Sequence, residues 1–254
     1  MSSKLMNCRF PKSDATVRLF CFPWAGGGSN FYSNWGSAVC DNVEVIGINL
    51  PGRETRIAEK PTNSVEEIVE EVTKKMVSDY SDKPFALFGH SMGALLAFET
   101  AKVLKEKYQK EPTKMYVSGI SGPHIQEKTR VSRTVSQLND SEFIEYLGSL
   151  GGTPHEVLNN SDIMKMFLPM LRADYSIVDD YLYELPEGKP LLSCPIAAFD
   201  GKSDRKHEIE AWQRVTTGKL IINMRDGGHF YLKEPKNMKY LQDFISNDFL
   251  VMCG

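Results

Sequence analysis

Pro84-Phe85-Ala86-Leu87-Phe88, followed at once by Gly89-His90-Ser91-Met92-Gly93, is the stretch on which the fold turns. The apolar run has the length of a buried strand. Met92 to Lys107 then reads as a helix, with Ala94, Leu95, Leu96, Ala97, Phe98, Ala101 and Leu104 as its apolar residues. A Gly-x-Ser-x-Gly between strand and helix forces its serine onto a tight, strained turn. Side chains at the two glycines would collide with neighbouring backbone. The turn lifts the Ser91 hydroxyl to the top of a parallel sheet, at the N-terminus of the following helix.

Working outward, strands and helices alternate on both sides of this turn. Val17 to Phe22 reads as a buried strand ended by Pro23; Ala25-Gly26-Gly27-Gly28 is a glycine-rich turn, and a helix is predicted through Phe31 and Trp35 towards Val39. Val43 to Leu50 is a second strand, stopped by Pro51-Gly52. Ser64 to Val77 is the clearest helix, opened by a Ser64/Glu67 capping box and buried along Val65, Ile68, Val69, Val72 and Met76. Met115 to Ile120 is the strand after the serine helix. Such alternation implies a parallel sheet with right-handed crossovers.

From about His124 to Leu191 the pattern breaks into helical segments interrupted by glycine and proline, which predicts a helical lid over 124–191 inserted in one domain, 1–254. Strands then return at Pro195–Phe199 and Leu220–Met224, separated by a helix around Glu208 to Val215 and followed by a helix from about Pro235 to Phe249. The expected fold class is therefore α/β, of the α/β-hydrolase type: a mostly parallel sheet with helices on both faces and an inserted helical lid.

Composition narrows the partners. With 41% hydrophobic and 25% charged residues the chain matches an ordinary globular protein, and a net charge of −3 without a basic block argues against nucleic acid. No apolar run approaches the roughly 20 residues of a membrane span, and Met1 to Asp14 lacks a signal-peptide core. The five scattered cysteines (Cys8, Cys21, Cys40, Cys194, Cys253) contain no Cys-x-x-Cys, which predicts reduced thiols, a cytoplasmic setting and no metal site. Cys21 and Cys194 read as small core residues.

A serine hydroxyl is a weak nucleophile and needs a base, itself oriented by an acid. On this fold the three follow in the order serine, acid, histidine. Among His90, His124, His155, His207 and His229, only His229 sits in a glycine-rich loop directly after the last strand. His90 is expected to pack beside the turn, and His124, His155 and His207 to lie at the surface. Asp204, presented by the turn Gly201-Lys202-Ser203, is preferred as the acid, with Asp200 at the strand end as the alternative. Asp226 is read as shaping the histidine turn. The oxyanion hole needs two backbone N–H donors, assigned to Met92 and to Ala25 in the Trp24–Gly28 turn. That glycine run lacks the Gly-Lys-Ser/Thr ending and the spacing of phosphate-binding loops.

Leu19-Phe20-Cys21-Phe22-Pro23-Trp24-Ala25-Gly26-Gly27, Leu50-Pro51-Gly52-Arg53-Glu54, Gly89-His90-Ser91-Met92-Gly93, Leu171-Arg172-Ala173-Asp174 and Gly227-Gly228-His229-Phe230 together resemble the type II thioesterase family. The likeness runs from about Arg18 to Phe249. It implies hydrolysis of an acyl thioester on the phosphopantetheine arm of an acyl carrier protein, releasing medium-chain fatty acids from a fatty acid synthase. It also supports Ser91, Asp204 and His229 as the triad, needs no cofactor beyond the substrate's own arm, and suggests a monomer.

The lid segment carries Phe143, Ile144, Leu147, Met164, Met166, Phe167, Met170 and Leu171. Unbranched methionines suit a tunnel for chains of differing length, and each buried methylene contributes about 0.8 kcal/mol. Met164, Phe167 and Met170 are the candidate acyl pocket; the alternative is that these residues glue the lid to the sheet. Arg53 and Arg56 read as ordinary ion-pair partners, with contact to a pantetheine phosphate as the alternative. Gly148 and Gly151-Gly152 are candidate lid hinges. Two other activities share the motif: a carboxylesterase, lipase or alcohol acyltransferase, and a non-catalytic binding module.

Overall fold

The structure, a computed structural model, describes residues 4–126, 134–151 and 155–250, the side chain of His155 excepted. Gly152 and Cys253 lie outside the described residues. In chain order the elements are β1 (Met6–Asn7), β2 (Val17–Phe22), α1 (Ser29–Ser33), β3 (Val43–Ile48), α2 (Val65–Asp79), β4 (Phe85–His90), α3 (Met92–Tyr108), β5 (Met115–Ser118), α4 (Asp140–Leu150), α5 (His155–Leu158), α6 (Ser161–Asp180), β6 (Ile196–Gly201), β7 (Leu220–Arg225) and α7 (Pro235–Leu250).

One seven-stranded sheet, in the order β1-β3-β2-β4-β5-β6-β7, carries them. Every pairing is parallel except that of β1 with β3. Strands β2 to β6 are buried at every position, which is why they read as continuous apolar runs rather than alternating ones. Their side chains still alternate between two cores. Phe20, Phe22 and Leu87 face Ile68 and Val72 of α2 and Leu95 and Phe98 of α3. Leu19, Cys21, Ala86 and Phe88 face Tyr32 of α1 and Leu241, Ile245 and Phe249 of α7. Helices thus cover both faces. Cys21 and Cys194 are buried.

Register decides where chemistry can gather. Phe22 pairs with Gly89, so the Trp24–Gly28 turn and the Ser91 turn leave the sheet side by side. Gly201 pairs with Arg225, so the loops bearing Asp204 and His229 also emerge together. All four lie beyond the carboxyl ends of parallel strands, the crevice where open α/β sheets hold their ligands.

Three local departures from the predicted elements have physical causes. The helix expected through Phe31 and Trp35 towards Val39 is the five-residue α1 followed by a 3-10 turn at Asn34–Ser37, where Gly36 sits and Trp35 turns into the core. The helix around Glu208 to Val215 is 3-10 rather than α. At α2 the capping box is half made: Ser64 Oγ accepts from the Glu67 N–H at 3.2 Å, but the Glu67 carboxylate turns to Thr62 Oγ1 at 2.7 Å.

Candidate active site

Ser91 stands between β4 and α3 with φ 54° and ψ −124°, strained backbone for a residue with a side chain. The glycines on either side make it possible. A Cβ on Gly89 would lie 2.1 Å from Gly93 O, and one on Gly93 would lie 2.2 Å from Phe22 O. The Ser91 N–H donates to Ser118 O at 2.7 Å, tying the turn to β5. Met92 opens α3, so its backbone N–H is one of the donors a helix leaves without an internal partner. Ser91 lines a cavity of about 260 Å³ whose walls also include Ala25, Asp204, His229 and Phe230.

His229 Nδ1 lies 2.7 Å from Asp204 Oδ2, and the N–H of Arg205 donates to Asp204 Oδ1 at 2.7 Å. Burial pushes the Asp204 carboxyl up. The hydrogen bond and charge of His229 and the Arg205 N–H outweigh it and hold the carboxyl below its ordinary value. With Nδ1 engaged by the carboxylate, Nε2 is the ring nitrogen of His229 that this pair leaves over. Below it, the ring of His90 sits 4.9 Å from that of His229 and bonds Ser118 Oγ at 2.8 Å, which in turn meets the hydroxyl of Tyr231 at 2.6 Å.

His207 differs from its expected surface place. It is buried, its Nδ1 lies 2.9 Å from Asp200 Oδ2, and its Nε2 accepts from Arg205 Nε at 3.0 Å. A guanidinium N–H only donates, so Nε2 of His207 is the accepting atom of that contact. Asp200, the alternative acid, is therefore taken up by His207 and by the Gly201 N–H at 2.9 Å. Asp204, His207 and His229 bring three ligand-type atoms within 4.8 Å of one another, but both ring nitrogens of His207 are already spent on hydrogen bonds. His124 is half-buried. Asp226 shapes the turn through its carbonyl, which accepts from Asn237 Nδ2 at 2.8 Å, while its carboxylate pairs with Lys202.

The turn after β2 is held by two neighbouring residues from the loop after β3. Glu54 accepts from the N–H groups of Ser29 and Asn30 at 3.1 and 2.9 Å and from the hydroxyl of Ser29. Arg53 donates to Gly27 O at 2.9 Å and makes a two-pronged bond to Asp174 of α6, both contacts at 2.7 Å. Asp174 also accepts from the Gly26 N–H at 2.7 Å. Arg56 is spent on Glu59 and Glu71. Both arginines are thus ion-pair partners. The Arg53-Glu54 and Arg172-Ala173-Asp174 stretches have a structural content that no local sequence pattern carries, since Arg53 and Asp174 are 121 residues apart.

The candidate acyl-pocket residues pack within the lid. Met164 and Met170 are buried in a core of the lid's own, with Val135, Leu138, Phe143, Leu147, Leu168 and Leu171, and Phe167 packs against it. Among the described residues, the lid instead sends Tyr146, Ser149, Leu150, Tyr175, Val178 and Asp179 to the cavity beside Ser91. A second cavity of about 300 Å³ shares Trp24, Ala25, Leu150, Tyr175 and Phe230 with the first and adds Leu147 and Leu171. The signal that marks these residues is one the lid's apolar count obscures: α4 and α6 each give residues both to the lid core and to the cavity wall. Gly148 sits inside α4, and Gly151 ends that helix in the left-handed conformation, at φ 73°.

Comparison with known proteins places this geometry. The family model described as "Thioesterase domain" matches residues 17–249. The medium-chain S-acyl fatty acid synthase thioesterase of Rattus norvegicus is 39% identical over 245 residues, 96% of this chain and 92% of that protein. The gramicidin S biosynthesis protein GrsT of Aneurinibacillus migulanus is 40% identical over 88% of this chain and 86% of its own length. The solved structure of the type II thioesterase BorB, from the borrelidin biosynthetic cluster, superposes with a TM-score of 0.83 at 33% identity, covering 97% of this chain and 98% of that one. A chain matched over this span, at these identities and with this fold, belongs to the thioesterase family.

Proposed function

We propose that this thioesterase hydrolyses acyl groups carried as thioesters on the phosphopantetheine arm of an acyl carrier protein of a fatty acid synthase, and that it releases medium-chain fatty acids in the cytoplasm. The relatives' names support the substrate class. The observation that carries the mechanism is the His229–Asp204 pair on the wall of the cavity that holds Ser91 on its strained turn. Ser91 Oγ attacks the thioester carbonyl carbon as His229 Nε2 takes its proton. Asp204 stabilises the imidazolium, and the N–H groups of Ala25 and Met92 hold the oxyanion. The C–S bond breaks, the thiol leaves with the proton from His229, and an acyl-serine ester remains. Water, deprotonated by His229, attacks that ester; the fatty acid departs and Ser91 regains its proton. The steps draw on side chains and water alone, with no metal or organic cofactor.

The lid and its 124–191 boundaries belong to the same reading, since Tyr146, Leu150, Tyr175 and Val178 roof the cavity. Ser91→Ala is expected to abolish release of acid from acyl carrier protein thioesters while the circular dichroism spectrum and melting curve stay those of the parent. Turnover retained by the folded variant would rule the nucleophile out. Rates on matched oxygen esters and thioesters separate a general esterase from the proposed enzyme.

A further inference from the structure

We propose that Arg53 and Asp174 are positioning residues for the oxyanion hole: a buried clamp that fixes the direction of the Ala25 N–H and ties it to the seating of α6. The proposal rests on the reading of Ala25 as an oxyanion donor. The turn it acts on has little stiffness of its own, because three glycines in a row have the widest backbone freedom of any residue, and Gly26 stands at φ 80°.

Each peptide plane of that turn is fixed from outside or across it. The Gly27 N–H donates to Trp24 O at 2.7 Å, and in a trans peptide the Ala25 N–H then points the opposite way. The Gly26 N–H, one peptide on, donates to Asp174 Oδ2 at 2.7 Å. The Gly27 carbonyl accepts from Arg53 Nη1 at 2.9 Å. Arg53 and Asp174 close the frame by bonding each other through both carboxylate oxygens, at 5% and 1% exposure. Leu171, one turn earlier on α6, presses on the same residue: a Cβ on Gly26 would lie 2.6 Å from its Cδ2.

A buried ion pair is a poor stabiliser, since its desolvation roughly cancels its attraction and an apolar pair often serves stability better. What an apolar pair lacks is direction. Here each partner spends a directional bond on the glycine turn, one on an N–H and one on a carbonyl. The clamp therefore bears on the geometry of the transition state rather than on substrate affinity.

The test uses the full-length chain. The double variant R53M/D174L removes both charges and leaves neither unpaired. It is expected to fold, to keep the parent KM for an acyl thioester, and to lose roughly 10²–10³-fold in kcat, the loss seen when an oxyanion donor is removed. Affinity for a trifluoromethyl ketone analogue, whose adduct carries the oxyanion, falls by the same factor. A merely structural role would not move kcat and analogue affinity together at constant KM. Asp174→Asn, which keeps an acceptor for the Gly26 N–H, loses less, and it gives the same readout if the double variant fails to fold. Unchanged kcat and analogue affinity in either folded variant overturns the clamp. A fluorophosphonate that fails to label Ser91 in the parent overturns the serine reading itself, and the clamp with it; normal labelling of the parent beside an unimpaired variant overturns the clamp alone.

Discussion

Burial holds the His90 imidazole uncharged, and the neighbouring His229 adds to it, so its protonation falls well below the ordinary histidine range. Ser118 and Tyr231 complete its surroundings from β5 and the turn after His229. In the unfolded chain the same ring takes a proton near pH 6.5. Below that pH the unfolded state binds one more proton than the native state. Stability present above about pH 6.5 is thus lost as pH falls, by up to about 1.4 kcal/mol per pH unit for this one group. His90→Gln is expected to flatten that slope by one proton. Urea unfolding at about pH 7.5 and about pH 5.5 measures it, and parallel losses in parent and variant would refute the assignment. The residues legible in the sequence were those bound to a turn with a required shape. Gly89 and Gly93 pointed to Ser91, and the glycines before His229 and Asp204 pointed to those two. His207 was not legible, because its partner Asp200 and its donor Arg205 come together only when the loop after β6 closes on itself.

At the scale of elements, the strands and the helices α2, α3 and α7 could be read because burial on one face or both writes itself into apolar spacing. The short pieces could not. The two-residue β1 is too brief to show a period, and α1 gives way to a 3-10 turn at a glycine. Where Met164, Phe167 and Met170 would sit was not legible for a related reason: apolar content does not say which core a helix face joins. One element contact is tight enough to predict from. The start of α3 lies so close to the end of β2 that a Cβ at position 93 would sit 2.2 Å from Phe22 O. Gly93→Ala must push helix and strand apart, and such overpacking costs about 1–3 kcal/mol. Because Ser91 and the Trp24–Gly28 turn ride on those two elements, activity should fall further than stability does. Thermal melts alongside fluorophosphonate labelling rates would show it; parent-like labelling in a destabilised variant would mean the two turns are not rigidly coupled.

At the scale of the whole molecule, the described residues form three apolar cores, one on each face of the sheet and one inside the lid. The helix α6 passes between two of them. Met164, Leu168, Met170 and Leu171 belong to the lid core, whereas Ile177 and Val178 belong to a sheet core, and Asp174 between them is fastened to Arg53. Segments with their own small core open at lower free energy than the global fold. The lid is therefore expected to open as α4, α5 and the first half of α6, hinged at the ion pair, with the second half of α6 left on the sheet. Met164→Ala tests this division, since truncating a buried methionine costs about 2–5 kcal/mol wherever its core is counted. Hydrogen exchange followed by mass spectrometry should show faster exchange in 140–150 and 161–171. Peptides from 174–180 and from β4, β5 and β6 should keep the parent rate. Equal acceleration in the sheet would mean that lid and sheet unfold as one cooperative body. The cavity roof would then have no motion of its own with which to admit a substrate.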